Sequence, residues 1–230
     1  MIIELTLETE RGHGPLRFTC DRMFNAGYTG RNQAEVRKHI EELALKGIPG
    51  PAETPTLYPV VRSALTVAGA VDVYEHGTCG EAEYVLLIED ERRIFVGVGS
   101  DHTDRTLEEH DIPRAKQICA NVLGRTVWPL EEAVDGWDRL VLRSRQTVDG
   151  REVLYQEGAL ARLLPPRDLM AFVRAKAGVR LERTILFSGT LATLTGGFVY
   201  GSRFTAEIED AGRNRRLTLG YEIRVLDAIS

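Results

Sequence analysis

A chain of 230 residues, 43% of them hydrophobic, can build a substantial core as one large domain or two small ones. A net charge of −5, with Lys and Arg scattered rather than clustered, argues against a nucleic-acid surface, and no segment approaches the ~20 apolar residues of a membrane span. Cys20, Cys79 and Cys119 are far apart and outside any CxxC pattern, and the acidic, alternating start is the opposite of a signal peptide, so the expectation is reduced thiols in a cytoplasmic protein.

Ile3, Leu5 and Leu7 alternate with polar residues and predict an opening strand, with Leu16–Cys20 returning as its hairpin partner through Gly12–Gly14. Asn25–Arg31 is rich in turn formers. Asn32 then caps a helix, with Glu35 three residues on as in a capping box. Its apolar stripe is Val36, Ile40, Leu43 and Ala44, and Gly47 with Pro49 stops it. His39 and Glu42 stand at i and i+3 on this helix. They are either a carboxylate-oriented general base or a surface pair with no task. Pro49, Pro51, Pro55 and Pro59 predict an extended connector, which makes residues 22–55 a candidate lid.

Leu65–Tyr74 reads as strand. In the next strand, Glu81–Ile88, Ala82, Tyr84, Leu86 and Ile88 share one face, and Glu81, Glu83, Val85 and Leu87 the other. If Ile88 pairs with Arg93 across a turn at Glu89–Arg92, Glu83 faces Val98 and Glu81 faces Ser100. Asp101 then needs a bulge at Gly97 or Gly99 to join the glutamates. Unpaired carboxylates on a half-buried face cost several kcal/mol, by an order-of-magnitude estimate, so a cation is expected there. Three converging carboxylates with no Cys or His suit a hard divalent ion such as Mg²⁺, Mn²⁺ or Ca²⁺. The alternative is an exposed edge hairpin whose glutamates face water.

Thr106–Gln117 is partly helical and carries Lys116, a residue type usually solvated. Trp137–Arg143 and Glu152–Tyr155 flank a tight turn at Asp149-Gly150. The clearest helix is Pro166–Ala177, with Leu169, Met170, Phe172 and Val173 as its buried side and Gly178 as its C′ residue. Thr184–Phe187 is a short buried strand running into Ser188-Gly189-Thr190 and a glycine-containing loop through Gly201. Phe204–Glu209 and Leu217–Leu226 are the final strands. Many strands, two good helices and no internal repeat predict a β-rich α+β fold, one domain over residues 1–230. Gly97-Val-Gly99 lacks the third glycine of a dinucleotide fingerprint, Gly189…Gly196-Gly197 lacks the P-loop lysine, and Ser188 sits in no nucleophile elbow.

The order of these features resembles the fumarylacetoacetate hydrolase family, as a divergent bacterial branch. His39-Ile-Glu-Glu42 is similar to the family's H-x-x-E pair, Glu81-Ala-Glu83 to its E-x-E strand, and Asp101-His-Thr-Asp-Arg105 to its D-x-x-x-R segment. Lys116 stands for its downstream lysine, Ser188-Gly-Thr190-Leu191 for its T-G-T-P loop, and Glu207-Ile-Glu209 for its final E-I-E. Leu191 and Ser188 depart from the loop motif, and Thr106 replaces a frequent second Asp. The resemblance implies a mixed β-roll, usually a homodimer, with Mg²⁺ or Mn²⁺ held by Glu81, Glu83 and Asp101. It implies His39, oriented by Glu42, as the proton-transfer group. It also implies Lys116 as a catalytic group that, with Arg105, Gly189 and Thr190, holds the anionic end of a small oxo acid. The implied chemistry is C–C bond hydrolysis of an acylpyruvate or decarboxylation of an oxaloacetate-like acid through a metal-stabilised enolate. A dehydratase or isomerase of a sugar-derived 2-oxo acid, and a non-catalytic metal- or ligand-binding module, are the alternatives.

Overall fold

A computed structural model describes residues 1–44, 50–51 and 53–226. In chain order the elements are β1 (Ile2–Thr9), β2 (Gly12–Thr19), β3 (Arg22–Gly27), α1 (Gln33–Ala44), β4 (Thr56–Val60), β5 (Leu65–Thr66) and β6 (Ala70–Tyr74). Then come β7 (Thr78–Cys79), β8 (Ala82–Ile88), β9 (Ile94–Asp101), β10 (Thr103–Asp104), α2 (Arg105–Glu108), α3 (Ile112–Ile118), β11 (Asn121–Leu123) and β12 (Thr126–Pro129). The last are β13 (Val141–Val148), β14 (Arg151–Ala159), α4 (Pro166–Ala177), β15 (Thr184–Phe187), β16 (Arg203–Asp210) and β17 (Arg215–Leu226).

Ten strands form a mixed sheet in the order β2-β1-β12-β9-β8-β15-β3-β4, with β11 against β9 and β5 against β11. Five more form a second sheet, β14-β13-β16-β17-β6. Local chemistry fixes several joints. Asn32 Oδ1 accepts from the backbone N–H groups of Ala34 and Glu35, so the cap of α1 is as expected. Asp149 (φ 50°) and Gly150 (φ 73°) both take the left-handed conformation that a two-residue hairpin between β13 and β14 requires. Gly178 (φ 64°) ends α4, its N–H donating to the Arg174 carbonyl.

Three segments differ from the sequence reading. Residues 22–27, the start of the candidate lid, are a strand between β15 and β4, and Met23, Phe24, Asn25 and Ala26 are buried in it. The proline-rich connector ends in a strand, β4, which tolerates Pro59 because it lies on the sheet edge. Trp137 belongs to a 3₁₀ turn, Val134–Arg139, that leads into β13.

The long sheet is rolled. Along it, four strand spacings of ~4.8 Å separate β11 from β3, about 19 Å if it were flat. Yet Asn121 Nδ2 donates to Asn25 Oδ1 at 3.0 Å, so the two strands meet across the interior. Two apolar clusters result. Ile3, Leu5, Phe18, Val85, Leu87 and Phe187 fill the inside of the roll. Tyr84, Leu86, Val96 and Val98 point outward and pack against Leu142, Phe204, Ile208 and Leu217 of the second sheet. β8 and β9 are therefore buried on both faces.

Candidate metal centre

The β8–β9 hairpin brings the acidic side chains together by a different register from the one expected. Ile88 pairs with Ile94, Glu83 with Gly99 and Ala82 with Ser100. Beyond the ladder the Asp101 N–H donates to the Glu81 carbonyl at 3.1 Å. The turn takes one residue more than predicted. Asp90 holds it by accepting from the N–H groups of Arg92 and Arg93 at 2.7 and 2.8 Å, which draws Arg93 out of the strand. A one-residue shift exchanges the faces of a strand. Asp101 thus lands opposite Glu81, on the face of Glu83, and the unbroken ladder needs no bulge at Gly97 or Gly99. Gly99 serves packing instead. A Cβ there would lie 2.5 Å from Val85 Cγ2 and 2.7 Å from Phe187 Cε1.

Ligand atoms of Glu81, Glu83 and Asp101 all lie within 4.8 Å of one another, at the mouth of the roll. Lys116 is not solvated but buried among them. Its Nζ lies 2.8 Å from Asp101 Oδ2, 3.1 Å from Glu81 Oε2 and 3.4 Å from Glu108 Oε1, and donates to Thr103 Oγ1 at 3.1 Å. Arg105 is also buried, with Nη1 at 3.3 Å from Glu81 and 2.7 Å from Glu108, and its Nε donates to Cys79 Sγ at 3.0 Å. Glu83 accepts the Gly189 N–H at 2.8 Å.

Burial pushes the Glu83 carboxyl well above the ordinary carboxylate range, helped by Asp101 and Glu81. Asp101 is pushed up by burial against the pull of Lys116. Burial acts on Glu81 in the same direction, but Arg105 and Lys116 outweigh it and hold its pKa down to about 2. Burial works against the charge of Lys116, yet Asp101, Glu81 and Glu108 keep its pKa well above the ordinary value. With every group ionised, four carboxylates face two cations, an excess equal to the charge of one divalent ion. Asp101 Oδ1 and Arg105 Nη2 are buried without a hydrogen-bond partner. An all-oxygen donor set, an unfilled carboxylate oxygen and that charge excess fit a hard divalent cation.

The loop after β15 is clamped onto this strand end. Gly189 (φ 84°) leaves no room for a Cβ, which would lie 2.5 Å from Thr29 Oγ1 and 3.0 Å from the Ala26 carbonyl. Thr190 Oγ1 donates to the Ala82 carbonyl at 2.7 Å. Gln156 completes the clamp. Its Nε2 donates to Thr190 Oγ1 and the Leu191 carbonyl, and its Oε1 accepts from the Ala82 N–H and Ser144 Oγ. A register shift at Ser144/Arg145 lets both Tyr155 and Gln156 turn inward. On the opposite face of β9, Tyr221 OH bonds Ser100 Oγ and His102 Nδ1, each at 2.9 Å, and His102 Nε2 meets Thr78 Oγ1 at 3.0 Å. Burial and Arg105 hold His102 down to about 3, so its ring is neutral.

The structure thus gathers Glu81, Glu83, Asp101, Arg105, Lys116, Gly189 and Thr190 in one place. His39 and Glu42 sit on α1, but their side chains lie outside the described residues. Sequence reasoning missed Glu108, Cys79, Gln156, His102 and Tyr221. Of these only Glu108, at i+3 from Arg105 on α2, left a helical-spacing signal.

No curated protein matches the sequence. Among solved structures, the chain is similar to Cg1458, with TM-score 0.64 and 15% identity over 99% of this chain and 100% of that one. It is also similar to 2-keto-3-deoxy-D-arabinonate dehydratase complexed with magnesium and 2,5-dioxopentanoate (TM-score 0.64, 14% identity, 91% and 75% covered). A third is fumarylacetoacetate hydrolase from psychrophilic Exiguobacterium antarcticum (TM-score 0.59, 17% identity, 93% and 82% covered). Likeness at this level of identity establishes the fold, the α+β roll of fumarylacetoacetate hydrolases. The family model that matches, over residues 26–221, is described as a protein of unknown function, DUF2848. On the fumarylacetoacetate hydrolase fold, the chain therefore belongs to the DUF2848 family.

Proposed function

We propose that this protein is a divalent-metal-dependent enzyme acting on a small oxo acid, by C–C bond hydrolysis of an acylpyruvate-like compound or decarboxylation of an oxaloacetate-like one. The observation that carries this reading is the buried carboxylate cluster with two negative charges in excess and an unpartnered Asp101 Oδ1. Glu81, Glu83 and Asp101 would hold Mg²⁺ or Mn²⁺, which when bound supplies a Lewis acid that chelates a 2-oxo acid and stabilises its enolate. Arg105, with Nη2 unpartnered, and the Gly189–Thr190 loop orient the anionic end of the substrate. Lys116, protonated and held by Asp101, keeps a positive charge at that end. His39, oriented by Glu42, transfers the proton when α1 closes over the mouth. Among the described side chains of α1 none is fully buried, and Val36 and Ile40 are half-buried. The lid is then the part of 22–55 that follows β3. A homodimer would fit the family's habit.

A second reading rests on the fold neighbour complexed with magnesium and 2,5-dioxopentanoate, a dehydratase, and makes the reaction dehydration of a sugar-derived 2-oxo acid. The deciding experiment measures Mn²⁺ affinity by calorimetry and turnover of a panel of oxo acids, for the parent, Glu83→Gln and His39→Ala. Glu83→Gln should lose metal affinity and activity together. His39→Ala should bind Mn²⁺ as the parent does and lose about 10²- to 10⁴-fold in kcat. Equal Mn²⁺ affinity in the parent and Glu83→Gln would remove Glu83 from the metal site. Oxalate binding through the metal with no oxo acid turned over would leave a binding module.

A further inference from the structure

Towards its mouth the lining of the roll changes from apolar to polar at two asparagines. On β3 and β11 the neighbouring inward residues, Met23 and Leu123, belong to the apolar filling. Asn25, beside Phe187 of β15, and Asn121, beside Asp101 of β9, follow them towards the mouth, and both are fully enclosed. An enclosed amide is costly unless its polar atoms are satisfied. One bond joins the pair, from Asn121 Nδ2 to Asn25 Oδ1 at 3.0 Å. It leaves Asn121 Oδ1 and Asn25 Nδ2 without a partner among the described residues.

Asn121 is the cross-strand partner of Asp101, so the two side chains share the inner face. The Cβ atoms of such a pair lie about 4.5–5.5 Å apart. Asp101 Oδ1 is likewise enclosed and without a partner. Two acceptors on neighbouring side chains leave a place for a donor or a cation. Lys116 does not fill it, because its Nζ meets Asp101 through Oδ2 and is shared with Glu81, Glu108 and Thr103. An amide carbonyl is a neutral, hard oxygen of the kind that joins carboxylates around a divalent ion. The bond from its nitrogen to Asn25 fixes the amide of Asn121 and leaves that oxygen free for such an ion.

We infer that Asn121 is a further ligand of the divalent ion, supplying Oδ1 beside Glu81, Glu83 and Asp101. This rests on the metal reading above and adds a neutral oxygen to it. The test measures Mn²⁺ affinity by calorimetry, and the number of waters on bound Mn²⁺ by water-proton relaxation, in the parent, Asn121→Leu and Asn121→Asp. Asn121→Leu, of similar size, should bind Mn²⁺ about tenfold more weakly. It should also carry about one more water than the parent, because solvent takes the vacated position on the ion. Asn121→Asp keeps an oxygen there and adds a charge, so it should bind at least as tightly with the parent's water count. The parent's water count in Asn121→Leu, whatever the affinity, would overturn the assignment and leave the three carboxylates standing. Asn121 would then act from behind Asp101 or not at all. Should Asn121→Leu fail to fold, Asn121→Asp decides. A water count lower than the parent's would mean that the new carboxylate entered a position the amide had not held, and would overturn the assignment. A parent protein that binds no Mn²⁺ would instead overturn the metal reading, and this ligand with it.

Discussion

Replacing Lys116 by Met separates the charge balance of the cluster from its capacity for metal. Lys116 Nζ lies 2.8, 3.1 and 3.4 Å from Asp101, Glu81 and Glu108. At an effective dielectric of ~20 each of these attractions is on the order of 5 kcal/mol before desolvation. Most of that gross attraction offsets the cost of burying the ammonium. What remains is the penalty of leaving its partners buried and unpaired, about 3–5 kcal/mol when one member of such a network is removed. For a chain of 230 residues, each kcal/mol lowers Tm by about 2–4 °C. Lys116→Met should therefore melt roughly 6–20 °C below the parent in EDTA. Mn²⁺ should reverse much of the loss. The variant leaves three negative charges in excess instead of two, so its affinity for a divalent ion should rise, and an ion at a hundred times its Kd stabilises by about 2.7 kcal/mol. Thermal melts of both proteins in EDTA and in a Mn²⁺ series measure this directly. A variant that melts with the parent in EDTA would mean that the carboxylates are neutralised by protons rather than by Lys116. One that is destabilised but deaf to Mn²⁺ would mean that the carboxylates hold no ion.

Three further outcomes are expected. Proton release should accompany Mn²⁺ binding below neutral pH, because burial holds Glu83 and Asp101 protonated above the ordinary carboxylate range and an ion displaces those protons. Calorimetry in buffers of different ionisation enthalpy reads the number, and zero release would mean a cluster already ionised. His102, held down to about 3 when folded, binds its proton near 6.5 when unfolded, so the unfolded state holds more protons between these values and stability should fall as pH drops from about 6.5 towards 3. His102→Asn should flatten that part of the denaturation profile, and an unchanged slope would refute the assignment. Gly99→Ala forces a methyl against Val85 and Phe187 and should cost about 1–3 kcal/mol in urea unfolding, where a parent-like midpoint would contradict the packing.

How much of this was legible in the sequence follows from how local each signal is. The Asp149-Gly150 hairpin, the Pro166–Ala177 helix with its Gly178 cap and the Asn32 cap rest on residues within one turn of one another, and all stand where expected. The convergence of Glu81, Glu83 and Asp101 was legible as a face argument, although the register was one residue off. The cause was Asp90, whose side-chain bonds lengthen the turn, a detail that strand alternation does not carry. β3 was hidden because a strand buried on both faces, as Met-Phe-Asn-Ala, has no alternation to read. Gln156 and the Ser100–His102–Tyr221 group were invisible for a different reason. Gln156 meets Ser144 across its own hairpin, but its bond with Ala82 and the bonds of Tyr221 with Ser100 and His102 span 74 to 121 residues, and only the packing of the two sheets makes those groups neighbours.

The two faces of β9 explain how the fold tolerates this cluster. Alternation sends Asp101 into the roll and sends Ser100 and His102 towards the second sheet, where Tyr221 ties both down. The hydrogen bonds that fix the strand end are thus kept off the face that carries charge, and Asp101 retains an oxygen without a partner. Glu83 is placed in the same way, its outward neighbours Ala82 and Tyr84 buried in the core between the sheets and its own oxygen held by Gly189. A carboxylate pair held from behind cannot relax apart when like charges repel. The repulsion is relieved by taking up a proton or a cation, and Glu83 and Asp101 are raised first by burial and further by their acidic neighbours, against the pull of Lys116. Rigid placement of unneutralised acids costs stability in the metal-free protein, and it makes the same residues a preformed oxygen site.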